Sequence, residues 1–173
     1  MVDSKANALS RLSAKAKEGS AVQGLTNQEF FQSQMYFTDE VSLRLEGDNK
    51  FVNEFLVCNN IGRGSYSKVK RVIRMETQQK GKDQNWTKLS DGDDHEEAEF
   101  AMKMMHKPTL KRERAIRYDS KGEMEMINNL DKVYSETEVW SQLNYSYITK
   151  LYEMLDDDSH DYMYLILELA DMG

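Results

Sequence analysis

Alternation of apolar and polar positions becomes regular from Phe51 onward. Phe55, Leu56, Val57 and Cys58 form an apolar run closing at Ile61, and the turn sequence Gly62-Arg63-Gly64-Ser65 follows. Val69, Val72 and Ile73 then interleave with Lys68, Lys70, Arg71 and Arg74, which predicts a half-exposed second strand and hence a hairpin. Phe100, Ala101, Met102, Met104 and Met105 flank Lys103 in a third strand, which Pro108 stops. From about Glu125 to Leu143 the period becomes helical: Leu130, Val133, Thr137 and Trp140 recur at steps of three and four. Lys150–Leu155 and Tyr162–Leu167 read as two further strands joined by the turn-like Asp156-Asp157-Asp158-Ser159-His160. Three strands, one helix and two strands predict an α+β fold, an antiparallel sheet carrying one helix.

The flanks and the long connection have a different character. Residues 1–50 read as a flexible tail and lead-in, because Ser, Ala, Lys and Gly with scattered leucines cannot offset the entropy of ordering. Phe30, Phe31, Met35, Tyr36 and Phe37 are an apolar cluster able to dock that lead-in on the domain. Met75 to about Glu97 has few apolar residues and an acidic run, and reads as a solvated loop. Around Pro108 lie Lys107, Lys111, Arg112, Arg114 and Arg117, read either as a solvated basic face or as a docking site for an acidic or phosphorylated segment.

Composition narrows the function classes. A net charge of −7 over 173 residues disfavours general nucleic-acid binding. Residues 1–23 have no secretory h-region, and no apolar run is long enough to span a bilayer, so no membrane partner is expected. Cys58 is the sole cysteine, so no intramolecular disulfide can form, and a cytoplasmic or nuclear location is the default.

Candidate chemistry lies in the first hairpin, the third strand and the helix. In Ile61-Gly62-Arg63-Gly64-Ser65-Tyr66-Ser67-Lys68-Val69, glycines at the first and third positions let backbone approach phosphate oxygens, whereas Ser67 stands where a third glycine would. A strand rather than a helix follows, which disfavours a dinucleotide fold, and no Gly-Lys-Ser/Thr occurs for a Walker A loop. A plain hairpin turn is the alternative. Lys103 in Phe100-Ala101-Met102-Lys103 matches a V-A-I-K pattern, the alternative being a solvated strand lysine. Glu136 shares a helical stripe with Val133, Val139, Trp140 and Leu143, so it either needs a cationic partner such as Lys103 or reaches water at the stripe's edge.

Taken together, the glycine turn, the Lys103 strand, the block Glu136–Leu155 and Tyr164–Ala170 resemble the small lobe of eukaryotic Ser/Thr protein kinases, most nearly the calcium/calmodulin-dependent protein kinase kinases. The resemblance covers about Phe51 to Gly173. It implies a protein-kinase-like N-terminal lobe, a five-stranded antiparallel sheet with one main helix, truncated after the hinge. Lys103 and Glu136 would then be catalytic. Ile61, Gly62, Gly64, Ser67, Val69, Ala101 and Lys103 would bind ATP, with Leu167 as gatekeeper and the backbones of Glu168 and Ala170 on the adenine. Mg²⁺ would be held by residues beyond Gly173, and the partner would be a protein substrate, such as another kinase. Three features depart from the pattern: Ser67, the long second connection, and Tyr145-Ser146 in place of His-Pro. The chain alone would lack a catalytic loop. A pseudokinase-like nucleotide-binding or scaffold protein, and an unrelated α+β binding module using the basic cluster after Pro108, are the competing readings.

Overall fold

A computed structural model describes residues 35–75, 98–118, 121–143 and 145–170. Its elements in chain order are β1 (Tyr36–Thr38), β2 (Leu43–Glu46), β3 (Asn49–Val52), β4 (Phe55–Arg63), β5 (Ser67–Arg74) and β6 (Glu99–His106), then α1 (Lys107–Arg112), β7 (Arg114–Tyr118), β8 (Met124–Asn128), α2 (Asn129–Trp140), β9 (Leu151–Leu155) and β10 (Tyr162–Glu168). Eight strands form one sheet in the order β1-β9-β10-β6-β5-β4-β3-β2, while β7 and β8 form a separate two-stranded ribbon. The sheet is mixed: β1 runs parallel to β9, with Tyr36 opposite Glu153, and every other pairing is antiparallel.

This corrects the five-stranded antiparallel sheet with one main helix. The additional strands β1, β2 and β3 come largely from residues 35–50, the stretch with little apolar alternation, and the boundary at Phe51 falls inside β3. Two tight turns build them. Gly47 has φ of +59° between β2 and β3, a left-handed conformation that glycine adopts without Cβ strain. Asn53, at φ of +50°, turns β3 into β4. Its side chain accepts from Ser42 N at 2.7 Å and donates to Glu40 O at 3.1 Å, which offsets the strain and ties the turn to the β1–β2 connection.

The sheet is open but strongly curled. Its two edge strands, β1 and β2, are separated in the chain by residues 39–42 alone, so that short connection crosses from one edge to the other. Tyr36 on β1 and Val52 on β3, near opposite edges, accordingly belong to one apolar core with Phe55, Val72, Phe100 and Ile166. The result is a half-barrel whose interior is this core. Phe100 anchors it with edge-on contacts to Phe55 at 6.1 Å and Tyr152 at 5.2 Å between ring centroids.

Alternation along β6 gives the second layer. Phe100 and Met102 point into the half-barrel, while Ala101 and Met105 point to the other face, where Leu110 of α1 and Leu130 and Tyr134 of α2 cover them. A buried polar knot fixes α2 there. Lys107 Nζ lies 2.9 Å from Asp156 Oδ1 and donates to Asp157 O at 2.6 Å, and Tyr134 OH donates to Asp156 Oδ2 at 2.7 Å.

The helix expected from about Glu125 begins only at Asn129. Asn128 is its N-cap, its side chain accepting from Asp131 N at 2.9 Å, and the five residues Met124–Asn128 pair with β7 as β8. β6 ends at His106, and Pro108 lies in the first turn of α1, which follows directly. The expectations for residues 1–34 and for the acidic run at 91–97 fall outside the described residues.

Candidate functional site

A helix advances about 100° per residue, so Leu130, Tyr134 and Thr137 occupy one side of α2 while Lys132, Glu136 and Val139 occupy the opposite side. The first set is buried on the sheet. The second set faces a cleft of about 460 Å³ whose apolar walls are Ile116, Ile127, Val139, Trp140 and Leu143. Trp140 is held as a wall, because its indole N–H donates to Thr149 O at 2.7 Å. Lys132 and Glu136 also line the cleft and lie 3.6 Å apart, an exposed i,i+4 pair that neutralises itself and contributes little stability.

The far wall is the β7–β8 ribbon. Its register sets Ile116 opposite Met126 and Tyr118 opposite Met124. Directly opposed residues, and residues two apart, share a face of an antiparallel pair. One face therefore carries Arg114, Ile116, Tyr118, Met124, Met126 and Asn128. Ile116 is 59%, Met126 65% and Val139 60% exposed, and Tyr118 and Met124 are comparably open. An isolated two-stranded ribbon gains stability from a covered face, and large contiguous apolar patches on folded proteins mark interaction surfaces.

These are residues that sequence reasoning missed. The alternation Arg114, Ile116, Tyr118 and the pair Met124, Met126 were a readable strand signal, with Gly122 at φ of +80° turning the ribbon between them. Basic side chains masked it in one strand, and helical periodicity was extended over the other. The stripe Glu136-Val139-Trp140-Leu143 lines the cleft, and of its members Trp140 also packs against the apolar layer of the sheet.

The structure brings part of the sequence-predicted set together. Val69 pairs with Lys103, and Ala101 lies between Arg71 and Leu167, so Val69, Ala101, Lys103 and Leu167 occupy three neighbouring strands. Val69, Ala101 and Leu167 belong to the apolar layer beneath α2. Glu168 N donates to Lys150 O at 2.9 Å and its carboxylate accepts from Lys150 N at 3.0 Å, so its main chain and side chain serve the turn into β9; Ala170 follows β10. Ile61, Gly62, Gly64 and Ser67 lie in and beside the β4–β5 hairpin. Gly64 N donates to Ser67 O at 2.9 Å, and a Cβ there would stand 2.9 Å from Ser67 Oγ, so this glycine serves the turn's own closure. At Gly62 an added Cβ would meet Val69 at 3.4 Å, an ordinary contact. Lys103 and Glu136 are not brought together as a pair: Glu136 is 64% exposed in its side chain and its ion pair is with Lys132.

Comparison with known proteins gives a partial likeness. No family model matches the chain. Over 130 residues it is 24% identical to a protein named "Probable serine/threonine-protein kinase" from Dictyostelium discoideum, the alignment covering 75% of this chain and 15% of that protein. The chain thus spans under a sixth of that relative's length.

These findings correct the kinase assignment. An identity of 24% with no matching family model does not place the chain among protein kinases. The half-barrel of eight strands departs from the five-stranded lobe. The described residues hold no group of His, Cys, Asp and Glu able to bind a metal, and the proposed Lys103–Glu136 pair does not form. ATP:protein phosphotransfer, ATP and Mg²⁺ as cofactors, nucleotide binding as the alternative, and a kinase substrate as partner are all overturned with it. No helix among the described residues is long and apolar enough to cross a membrane.

Proposed function

We propose that the protein is a non-catalytic recognition module that docks a segment of another protein in the cleft between α2 and the β7–β8 ribbon. The observation that carries this reading is the apolar cleft lined by Ile116 and Ile127 of the ribbon and by Val139, Trp140 and Leu143 at the end of α2, with Tyr118, Met124 and Met126 exposed on the ribbon face that carries Ile116. Burying such side chains yields roughly 25 cal/mol per Å² of apolar area, and a central cluster of large apolar and aromatic anchors is what concentrates binding energy at protein interfaces. The scaffold suits the role. The Lys107–Asp156–Tyr134 knot locks α2 to the sheet, so one wall of the cleft is rigid before any partner arrives. Cys58 is the one cysteine of the sequence, so no intramolecular disulfide can form, which supports an intracellular setting.

The test is a peptide display selection against the full chain, counter-selected on a Val139→Asp variant. Peptides with spaced large apolar residues that bind the parent and not the variant are the expected product. Enriched binders that hold equally to both proteins would place recognition elsewhere and end this reading.

A further inference from the structure

We infer that the segment docked in the cleft is an amphipathic helix whose apolar anchors lie against Val139, Trp140 and Leu143 and whose acidic end lies against Lys111, Arg112 and Arg114. The inference rests on the proposed docking role of the cleft and specifies the chemistry of its occupant.

Charge on the two sides of the surface decides the polarity of the partner. The chain as a whole is acidic, with a net charge of −7. The basic run that precedes Ile116 in the chain goes against that average. Lys111 and Arg112 are the last turn of α1, and Arg114 stands two residues before Ile116 on the same face of the ribbon. All three are exposed, and none forms an ion pair among the described residues; Glu113 is the one carboxylate interposed in that run. Inside the cleft Lys132 and Glu136 cancel each other. Lys111, Arg112 and Arg114 stand against the carboxylates Glu113 and Asp131 by the first turn of α2, so a net positive charge remains there, where complementary carboxylates would gain both orientation and association rate.

The position of that end fixes the direction. Asn129 N, at the start of α2, donates to Glu113 O at 3.0 Å, so the basic run lies by the first turn of α2, while Trp140 and Leu143 lie at its far end. The occupant thus presents acid over the start of α2 and apolar residues over its end. One wall is a helix whose exposed ridge repeats at i, i+4 and i+7, the surface against which a second helix packs ridge into groove.

The test uses the full chain and a designed amphipathic peptide of about 16 residues with leucines at i, i+3, i+4 and i+7, made with a Glu triplet at either end and, as a control, with Gln in place of Glu. Fluorescence anisotropy should show one Glu peptide binding about tenfold or more tighter than its Gln counterpart, with the advantage falling as salt is raised. The advantage should disappear in the triple variant Lys111→Glu, Arg112→Glu, Arg114→Glu, and shrink in the milder Arg112→Gln, Arg114→Gln protein, each checked for an unchanged circular dichroism spectrum. Glu and Gln peptides binding equally well would overturn the acidic polarity while leaving the cleft as a docking site. Binding of neither peptide would overturn the docking reading itself.

Discussion

Replacing Glu153 by Gln should make the protein more stable at and above neutral pH and remove most of a pH dependence that the parent shows between pH 5 and 8. Glu153 is 1% exposed, in the middle of β9. Burial, then the neighbouring Glu54 charge, push its carboxyl up to about 8, against the opposing pull of the Thr38 hydroxyl and Arg74. Thr38 Oγ1 donates to one carboxylate oxygen, and the other finds no hydrogen-bond partner. The facing ion pair is Arg74 with Glu54, at 3.5 Å. The sign follows from proton counting. Between the ordinary value of 4.5 and about 8, the folded protein keeps a proton on Glu153 that the unfolded chain has released. Folding stability therefore falls as pH rises through that window, by up to about 1.4 kcal/mol per pH unit, and levels off above it. Over the whole window this amounts to roughly 3–5 kcal/mol, a large share of a typical domain's stability. Gln keeps the shape, and its NH₂ stands where the protonated oxygen was. Glu54, also held above its ordinary value chiefly by burial, keeps a residual slope of the same sign in the variant. Urea unfolding followed by circular dichroism at intervals from pH 5 to pH 9 measures the difference between the two proteins. Identical slopes in parent and variant would refute the reasoning, as would a variant less stable than the parent at pH 8.

The polar knot makes a second prediction: Lys107→Met removes the cation that faces the buried Asp156 carboxyl, and urea unfolding should show a loss of about 3–5 kcal/mol. Tyr134→Phe keeps the ion pair and removes one hydrogen bond, so it should cost about 1–2 kcal/mol in the same assay. Asn128→Ala removes the cap of α2 and should lower stability by about 1 kcal/mol, with Asn128→Asp retaining most of it. Val139→Asp lies on the exposed side of α2 and should change stability by about 0.5 kcal/mol or less while abolishing peptide binding, measured by unfolding and anisotropy side by side.

Where burial on one face is strong, the sequence was legible. β4, β5, β6, β9 and β10 carry runs such as Phe55–Cys58 and Tyr164–Leu167, and period two or continuous apolar character reveals them. The edge strands were not legible for the opposite reason. β2 exposes Leu43 and Leu45, and its pairing depends on the turn at Gly47 and on Asn53 bonding to the β1–β2 connection, which are tertiary effects. The ribbon was lost to a conflict of periods. Met124, Met126 and Ile127 extend a helical pattern into α2, and only the Asn128 cap divides the two. At the site, Glu136 shows how a stripe can be read correctly and placed wrongly. Its neighbours Val139, Trp140 and Leu143 are apolar, yet α2 carries a second apolar arc through Leu130 and Tyr134, and that arc takes the sheet. The glycine turn was ambiguous from the start, since a phosphate loop and a tight hairpin need the same residues. The bond from Gly64 to Ser67 accounts for it within the hairpin.

The central claim is that the surface between α2 and the β7–β8 ribbon binds a protein segment, and the most direct measurement is an amide chemical-shift titration of the full chain with the acidic amphipathic peptide. The account predicts saturable shifts confined to residues around Ile116, Met126, Val139, Trp140 and Leu143, absent in Val139→Asp. Saturable shifts centred on the β4–β5 hairpin and Lys103 instead, or none anywhere at millimolar peptide, would contradict it.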